Sequence, residues 1–279
     1  MNFDLVDVFP SDRPLTGNPL AVVHGGEGLS DEQMIKLTRW LGFSETTFLL
    51  PPTDPGADYH VRIFCPRGEL PFAGHPTLGT AWAWLNAGGK PAREGVVMQQ
   101  CGVGLVEVRL TGEKLAFRAP PLIRSGPLGE TELAEALKLL NLPREAVLDA
   151  VWADNGPGWQ LLRLASAGAV LAVECPARGP VPTDLALVGP SQEPGIDWEV
   201  RTFFAGATGA IIEDPVTGSL NASLGQYLFE TGLASEAYVA AQGRCVGADG
   251  RAYVSREGDD VWVGGKVAAV SVGGTLTGV

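Results

Sequence analysis

Between Gly74 and Gly88 the chain offers a helix with no polar side. Leu78, Ala81, Trp82, Ala83, Trp84 and Leu85 leave no stripe that could face water. A helix apolar all round belongs inside a core, so other elements must wrap around this one. Pro76 suits the first helical position, where its missing N–H costs nothing, and both tryptophans are expected in the core. The Gly74-His75 turn ahead of it brings free N–H groups and a titratable ring to one point.

The pattern returns later in the chain. Arg62-x-Phe64 leads to Gly74, and Arg201-x-Phe203 leads to Gly218. A polar residue follows each glycine, His75 or Ser219, and then a largely apolar helix ending at Gly88 or Gly232, each fourteen residues on. Two copies suggest a duplicated domain, not a solenoid. A length of 279 residues also favours two cores over one. The sequence thus predicts an α+β protein of two pseudo-symmetric halves, each with mainly antiparallel strands around one buried helix. The N-terminal domain is expected over 1–120, with strands at about 267–279 crossing back to it, and the C-terminal domain over 121–266. The proline-rich stretch from Pro120 to Pro127 is the linker.

The smaller elements follow local signals. A strand is expected over 3–9 with its aspartates on one face, and Leu20 to Val23 gives a second. Ser30-Asp-Glu-Gln33 reads as a capping box for a helix that Gly42 ends. Strands fit 46–50, 59–64 and 96–118, and an amphipathic helix fits 130–140 with Leu133, Ala136, Leu137 and Leu140 inward. Further strands are expected at Trp159–Leu164, Val170–Val173 and Arg201–Phe204. A loop with a short helix near Asp184 is expected over 175–197, and a glycine-punctuated strand pair over 266–279.

A net charge of −12 argues against nucleic acid and anionic membrane surfaces as partners. Cys65, Cys101, Cys175 and Cys245 lie too far apart for a zinc motif or disulfide framework and suit a reducing cytoplasm. The N-terminus lacks the basic region of a signal peptide, and runs such as Ala167 to Val173 are too short to span a bilayer.

If the two halves face one another, both helix N-termini converge on the cleft between them, where N–H groups and dipoles favour a carboxylate. Glu213-Asp-Pro-Val-Thr-Gly-Ser219 adds a carboxylate just before the second turn, and Ser44-Glu45 lies between a helix end and an apolar strand. Glu45, His75, Asp214 and Ser219 then make a set of two carboxylates, an imidazole and a hydroxyl. Such a set suits proton abstraction beside an activated carbon and reprotonation elsewhere, with N–H groups stabilising the developing charge. His24 and His60 have no evident partners.

Val6-Asp-Val-Phe9, Gly17-Asn-Pro-Leu-Ala-Val-Val23, Ser44-Glu-Thr-Thr-Phe48, Glu69-Leu-Pro-Phe-Ala-Gly-His-Pro-Thr77 and Glu213-Asp-Pro-Val-Thr-Gly-Ser219 fall in order across most of the chain. Together they resemble the PhzF family, the phenazine-biosynthesis isomerase and its relatives. The resemblance implies a diaminopimelate epimerase-like fold, each half a barrel-like sheet around a central helix. It implies Glu45 as the acid/base that moves a proton along trans-2,3-dihydro-3-hydroxyanthranilate or a similar small carboxylate, assisted by His75, Asp214 and Ser219. Asn18, Ser44 and the backbone at Gly74 and Gly218 become substrate contacts. No metal or organic cofactor is implied, and a homodimer is. Racemases of this fold place a cysteine before each cleft glycine; this chain has Ala73 and Thr217 there, which disfavours a two-thiol mechanism. Leu220-Asn221 also departs from the small residues and histidine common in relatives. The alternatives are a catalytically silent metabolite-binding or interaction protein of the same fold, or a racemase using Glu45 with another group.

Overall fold

A computed structural model describes residues 1–278. The chain divides into two compact units, Met1–Arg118 together with the chain from Gly264 onward, and Ala119–Val263. The first holds β1 (Asn2–Val8), β2 (Asn18–His24), α1 (Asp31–Leu41), β3 (Thr46–Leu50), β4 (Tyr59–Cys65), β5 (Gly68–Leu70), α2 (Gly74–Asn86), β6 (Val96–Cys101), β7 (Gly104–Thr111) and β8 (Lys114–Arg118). The second holds β9 (Arg124–Pro127), α3 (Glu130–Leu140), β10 (Val147–Asp154), β11 (Gln160–Leu164), α4 (Ala167–Leu171), β12 (Asp184–Pro190), β13 (Trp198–Ala205), β14 (Ile211–Glu213), α5 (Gly218–Glu230), β15 (Ala237–Gln242) and β16 (Gly250–Glu257). The boundary falls inside β17 (Asp260–Thr275).

In the first unit β17, β1, β2, β3, β4, β6, β7 and β8 pair in that order, and β8 closes the barrel on β17. β2–β3 and β4–β6 are parallel, because each pair is joined by a helical crossover. α2 makes the second crossover and packs against β1, β2, β3, β6, β7 and β8, which places it inside the barrel. α1 lies on another layer, where Met34 and Leu37 cluster with Val23, Phe48 and Phe64. Ser30 and Gln33 form the capping box, and Gly42 ends the helix at φ 77°.

The second unit repeats this wiring. β10–β11 is antiparallel, β11–β12 parallel through α4, β12–β13 antiparallel, β13–β15 parallel through α5, and β15–β16 antiparallel. The short strand β14 folds back on β13 as β5 does on β4. α3 is as expected: Ala136 and Leu140 are buried, and Leu133 and Leu137 pack on the same cluster.

Several sequence expectations give way. α2 begins at Gly74, so Pro76 is its third residue, where a missing N–H is equally harmless. Its first two turns are buried, but Trp82, Trp84 and Leu85 are only partly so as the helix leaves the core. Val170 and its neighbours form α4, capped by Ser166, and not a strand. The segment from Asp184 is a strand, not a loop with a helix: Leu185-Ala-Leu-Val-Gly189 is buried residue by residue, a continuous apolar run that periodicity cannot tell from a helix. The closing strand pair is one 16-residue strand. Asp4 and Asp7, three apart, cannot share a strand face; both are buried, Asp4 against His24 Nε2 at 2.9 Å. His24 therefore has a partner.

Both central helices carry a glycine where the barrel wall comes closest. A Cβ on Gly79 would lie 2.5 Å from Leu20 Cδ2 and 3.0 Å from Val8 Cγ2, and one on Gly225 would lie 2.8 Å from Val254 and from Val261. Alanine gains about 1 kcal/mol of helix propensity, against about 1–3 kcal/mol for overpacking. Leu20 can rotate away, but valine is stiff at χ1. Gly225→Ala is therefore expected to lower the melting temperature more than Gly79→Ala, each measured by thermal denaturation.

Candidate active site

The first unit gathers Glu45, His75, Ser44 and Asn18 around the start of α2. The loop between β1 and β2 is pinned by Asp7, whose carboxylate accepts the Thr16 N–H at 3.1 Å and the Gly17 N–H at 2.8 Å. Burial pushes the Asp7 carboxyl up, and these N–H groups pull it back. Gly17 admits no side chain, since a Cβ would lie 2.1 Å from the Val8 carbonyl oxygen. The pinned loop delivers fully buried Asn18, whose Oδ1 accepts from Ser44 Oγ at 3.5 Å. It also delivers the Pro19 carbonyl to the His75 ring.

His75 is 4% exposed, and its Nε2 is buried without a hydrogen-bond partner among the described residues. Nδ1 is therefore the nitrogen that donates to Pro19. Burial pushes the imidazole down to about 3, against the opposing effect of that bond. The ring is neutral, and its Nε2 lone pair lies 3.6 Å from Glu45 Oε2. At that separation, with a neutral ring, the two are not an ion pair. The Glu45 side chain is 17% exposed, so it is partly buried while still reaching solvent.

This protonation state has a sign that can be checked. The unfolded ring titrates near 6.5 and the folded one near 3. Between these values the unfolded chain holds a proton that the folded chain refuses, so stability falls as pH drops through that window. His75→Gln is expected to flatten this acid slope in urea melts between about pH 7 and 4. An unchanged slope would mean the folded ring is already charged.

The start of α2 has no side-chain cap, because Ala73 occupies the N-cap. The Gly74 and His75 N–H groups are left to a ligand or water. Further along, the helix is tied down inside the barrel: Thr80 donates to Thr47 at 2.9 Å, and Gln99 donates to Thr77 at 2.9 Å.

The second unit brings Asp214, Thr217, Gly218 and Ser219 to the start of α5, again without a side-chain cap. Thr217 Oγ1 donates to Asp214 Oδ2 at 2.6 Å. Its proton is thus spent, so the 2.7 Å contact with Thr202 Oγ1 is a bond that Thr202 donates. Gln242 Oε1 accepts the Thr217 N–H at 3.0 Å and Asn221 Nδ2 at 3.1 Å. Ser219 Oγ accepts the Trp159 indole N–H at 3.0 Å, and its carbonyl accepts from Asn155 Nδ2 at 2.8 Å.

An arginine–glutamate fork precedes each turn. Arg62 binds Glu69 through Nε at 2.8 Å and a terminal nitrogen at 2.6 Å, and lies 5.0 Å from the Phe64 ring centre. Arg201 binds Glu213 at 2.9 and 2.7 Å and lies 4.9 Å from the Phe203 ring centre. The first fork is half exposed; the second is buried, with side chains 2% and 3% exposed. Sequence reading found the two arginines and phenylalanines but not the glutamates they hold. It also passed over Asp7, Gln242, Asn155 and Trp159. The Asp154-Asn-Gly-Pro-Gly-Trp159 turn signature was the available signal for the last two.

Comparison with known proteins bears on this arrangement. The sequence profile described as "phenazine biosynthesis-like protein", PhzC-PhzF, matches residues 6–278. The trans-2,3-dihydro-3-hydroxyanthranilate isomerase of Pseudomonas aeruginosa is 32% identical over 274 residues, 97% of this chain and 94% of that protein. The Schizosaccharomyces pombe protein "antisense-enhancing sequence 1" is 36% identical over 178 residues, and the match spans only 60% of its length. Among solved structures, a PhzF-family protein of Enterococcus faecalis superposes with a TM-score of 0.79 at 22% identity, covering 99% of this chain and 100% of that one. With the profile matched from Val6 almost to the last residue, the chain belongs to the PhzF, or phenazine biosynthesis-like, family.

Proposed function

We propose that this protein is an isomerase that moves a proton within a small, carboxylate-bearing, cyclic or unsaturated metabolite, using its own side chains. The observation that carries the reading is the buried, neutral His75, whose unpartnered Nε2 faces the Glu45 carboxylate beside an uncapped helix start. An imidazole that releases its proton near pH 3 is a poor base. Abstraction of the carbon-bound proton therefore falls to Glu45, which returns the proton at a second carbon. His75 Nε2 accepts a hydrogen bond from a substrate N–H or O–H, or from Glu45 while it carries the proton. Free N–H groups at Gly74 offset negative charge as it develops.

In this proposal Ser44 and Asn18 are substrate contacts beside Glu45 and His75, and Asp214, Ser219 and the Gly218 N–H are substrate contacts of the second unit. A racemase reading is disfavoured because Ala73 has no titratable group and the Thr217 hydroxyl is committed to Asp214. The P. aeruginosa relative's name makes trans-2,3-dihydro-3-hydroxyanthranilate the first compound to test. Isomerisation of it, or of another cyclic amino-carboxylate, is expected to survive dialysis against EDTA. A metabolite bound tightly, recovered unaltered and never exchanging protons with solvent would instead indicate a binding protein. A homodimer is part of the proposal and is checked by light scattering.

A further inference from the structure

The loop between β10 and β11 reaches the start of α5 in a defined shape. Asp154 Oδ1 accepts the Gly156 N–H at 2.7 Å and the Gly158 N–H at 2.8 Å. Both glycines have positive φ, 143° and 94°, which side chains resist. This tight turn places Asn155 on the Ser219 carbonyl and Trp159 on the Ser219 hydroxyl. Trp159 is 4% exposed, so its ring is fixed by packing.

An indole N–H only donates, whereas a hydroxyl offers one proton and two lone pairs. Trp159 therefore fills a lone pair of Ser219 Oγ and sets which way its proton can point. Among the described residues nothing accepts that proton. We infer that Trp159 is a positioning residue that orients the Ser219 hydroxyl, so that its free proton donates to an acceptor on the bound molecule, a substrate carboxylate oxygen. This deepens the isomerase reading and rests on it. The loop has a counterpart in the first unit, where Asp7 pins the Gly17 N–H to present Asn18, so both units shape a helix start from their first hairpin loop.

Binding of anthranilate and of its uncharged amide, 2-aminobenzamide, is measured by calorimetry for the wild type, Trp159→Phe, Ser219→Ala and the double variant. Phenylalanine keeps most of the packing and removes only the donor. Trp159→Phe is expected to weaken anthranilate about fivefold when Ser219 is present and by less than about twofold in the Ser219→Ala background. The amide, with a weaker acceptor, is expected to bind less tightly and to respond less. Equal losses in both backgrounds would show that Trp159 only packs, and would overturn the inference while leaving the isomerase reading intact. If Ser219→Ala itself changes nothing, or the wild type binds no carboxylate, the underlying reading fails and the inference with it. Should Trp159→Phe fold poorly, Trp159→Leu, which likewise has no donor to Ser219 Oγ, applies the same test, with the same dependence on the Ser219 hydroxyl expected.

Discussion

Glu45→Gln is expected to lower kcat for the isomerisation by about 100- to 10,000-fold, with KM changing by less than about threefold. The amide matches the carboxylate in size and can still fill the space 3.6 Å from His75 Nε2. What it loses is the ability to hold and return a proton. Neither neighbour at the start of α2 replaces it: the neutral imidazole is too weak a base, and Ala73 contributes nothing that titrates. An interaction used only in the transition state lowers kcat without a matching rise in KM, which separates this loss from weakened binding. Steady-state kinetics on purified variants makes the measurement, and a kcat within about tenfold of wild type would move the base elsewhere.

Glu213→Ala is expected to cost about 3–5 kcal/mol of stability, because it leaves the buried Arg201 guanidinium without its counter-charge. Arg201 keeps its bonds to the Val170 and Val173 carbonyls and its place over the Phe203 ring, none of which carries a full negative charge. The matching change in the first unit, Glu69→Ala, is expected to cost only about 0–1 kcal/mol: that fork is half exposed, and Asp31 lies 2.9 Å from Arg62 as a second partner. The same pair occurs twice in the repeat, and solvent decides its worth. Replacing Arg201 and Glu213 together by Met and Leu should recover most of the loss. Denaturant melts of the two single variants and the double variant give the comparison; similar costs for Glu69→Ala and Glu213→Ala would contradict it.

The repeat was legible because duplication preserves what packing and turn geometry demand. A glycine starts each central helix, another ends it fourteen residues later with φ of 94° or 71°, and an arginine two residues before a phenylalanine marks the strand ahead. The capping box of α1 was legible for the same reason, since it is a local hydrogen-bonding device. Buried strands were harder. Leu185 to Gly189 is covered on both faces, so it shows no alternation, and the flanking Pro180, Pro182 and Pro190 suggest a loop. Val170 to Val173 has β-branched residues at both ends, yet Ser166 caps a helix there and tertiary packing outweighs propensity.

Of the candidate site, the residues with obvious chemistry were legible and the residues that aim them were not. Glu45, His75, Asp214 and Ser219 stand in recognisable motifs. Asp7, Trp159, Gln242 and the two glutamates act through bonds to partners 7 to 60 residues away. Nothing in their local sequence names the partner. The neutral state of His75 is equally invisible in sequence, because it arises from burial of the ring in the folded chain.

The central claim is that Glu45 carries a proton from one carbon of the substrate to another. Its most direct test is NMR of substrate and product after incubation in D2O, wild type beside Glu45→Gln. The expected result is deuterium at the accepting carbon with wild type and none above background with the variant. Deuterium entering at the same rate with both proteins would contradict the claim.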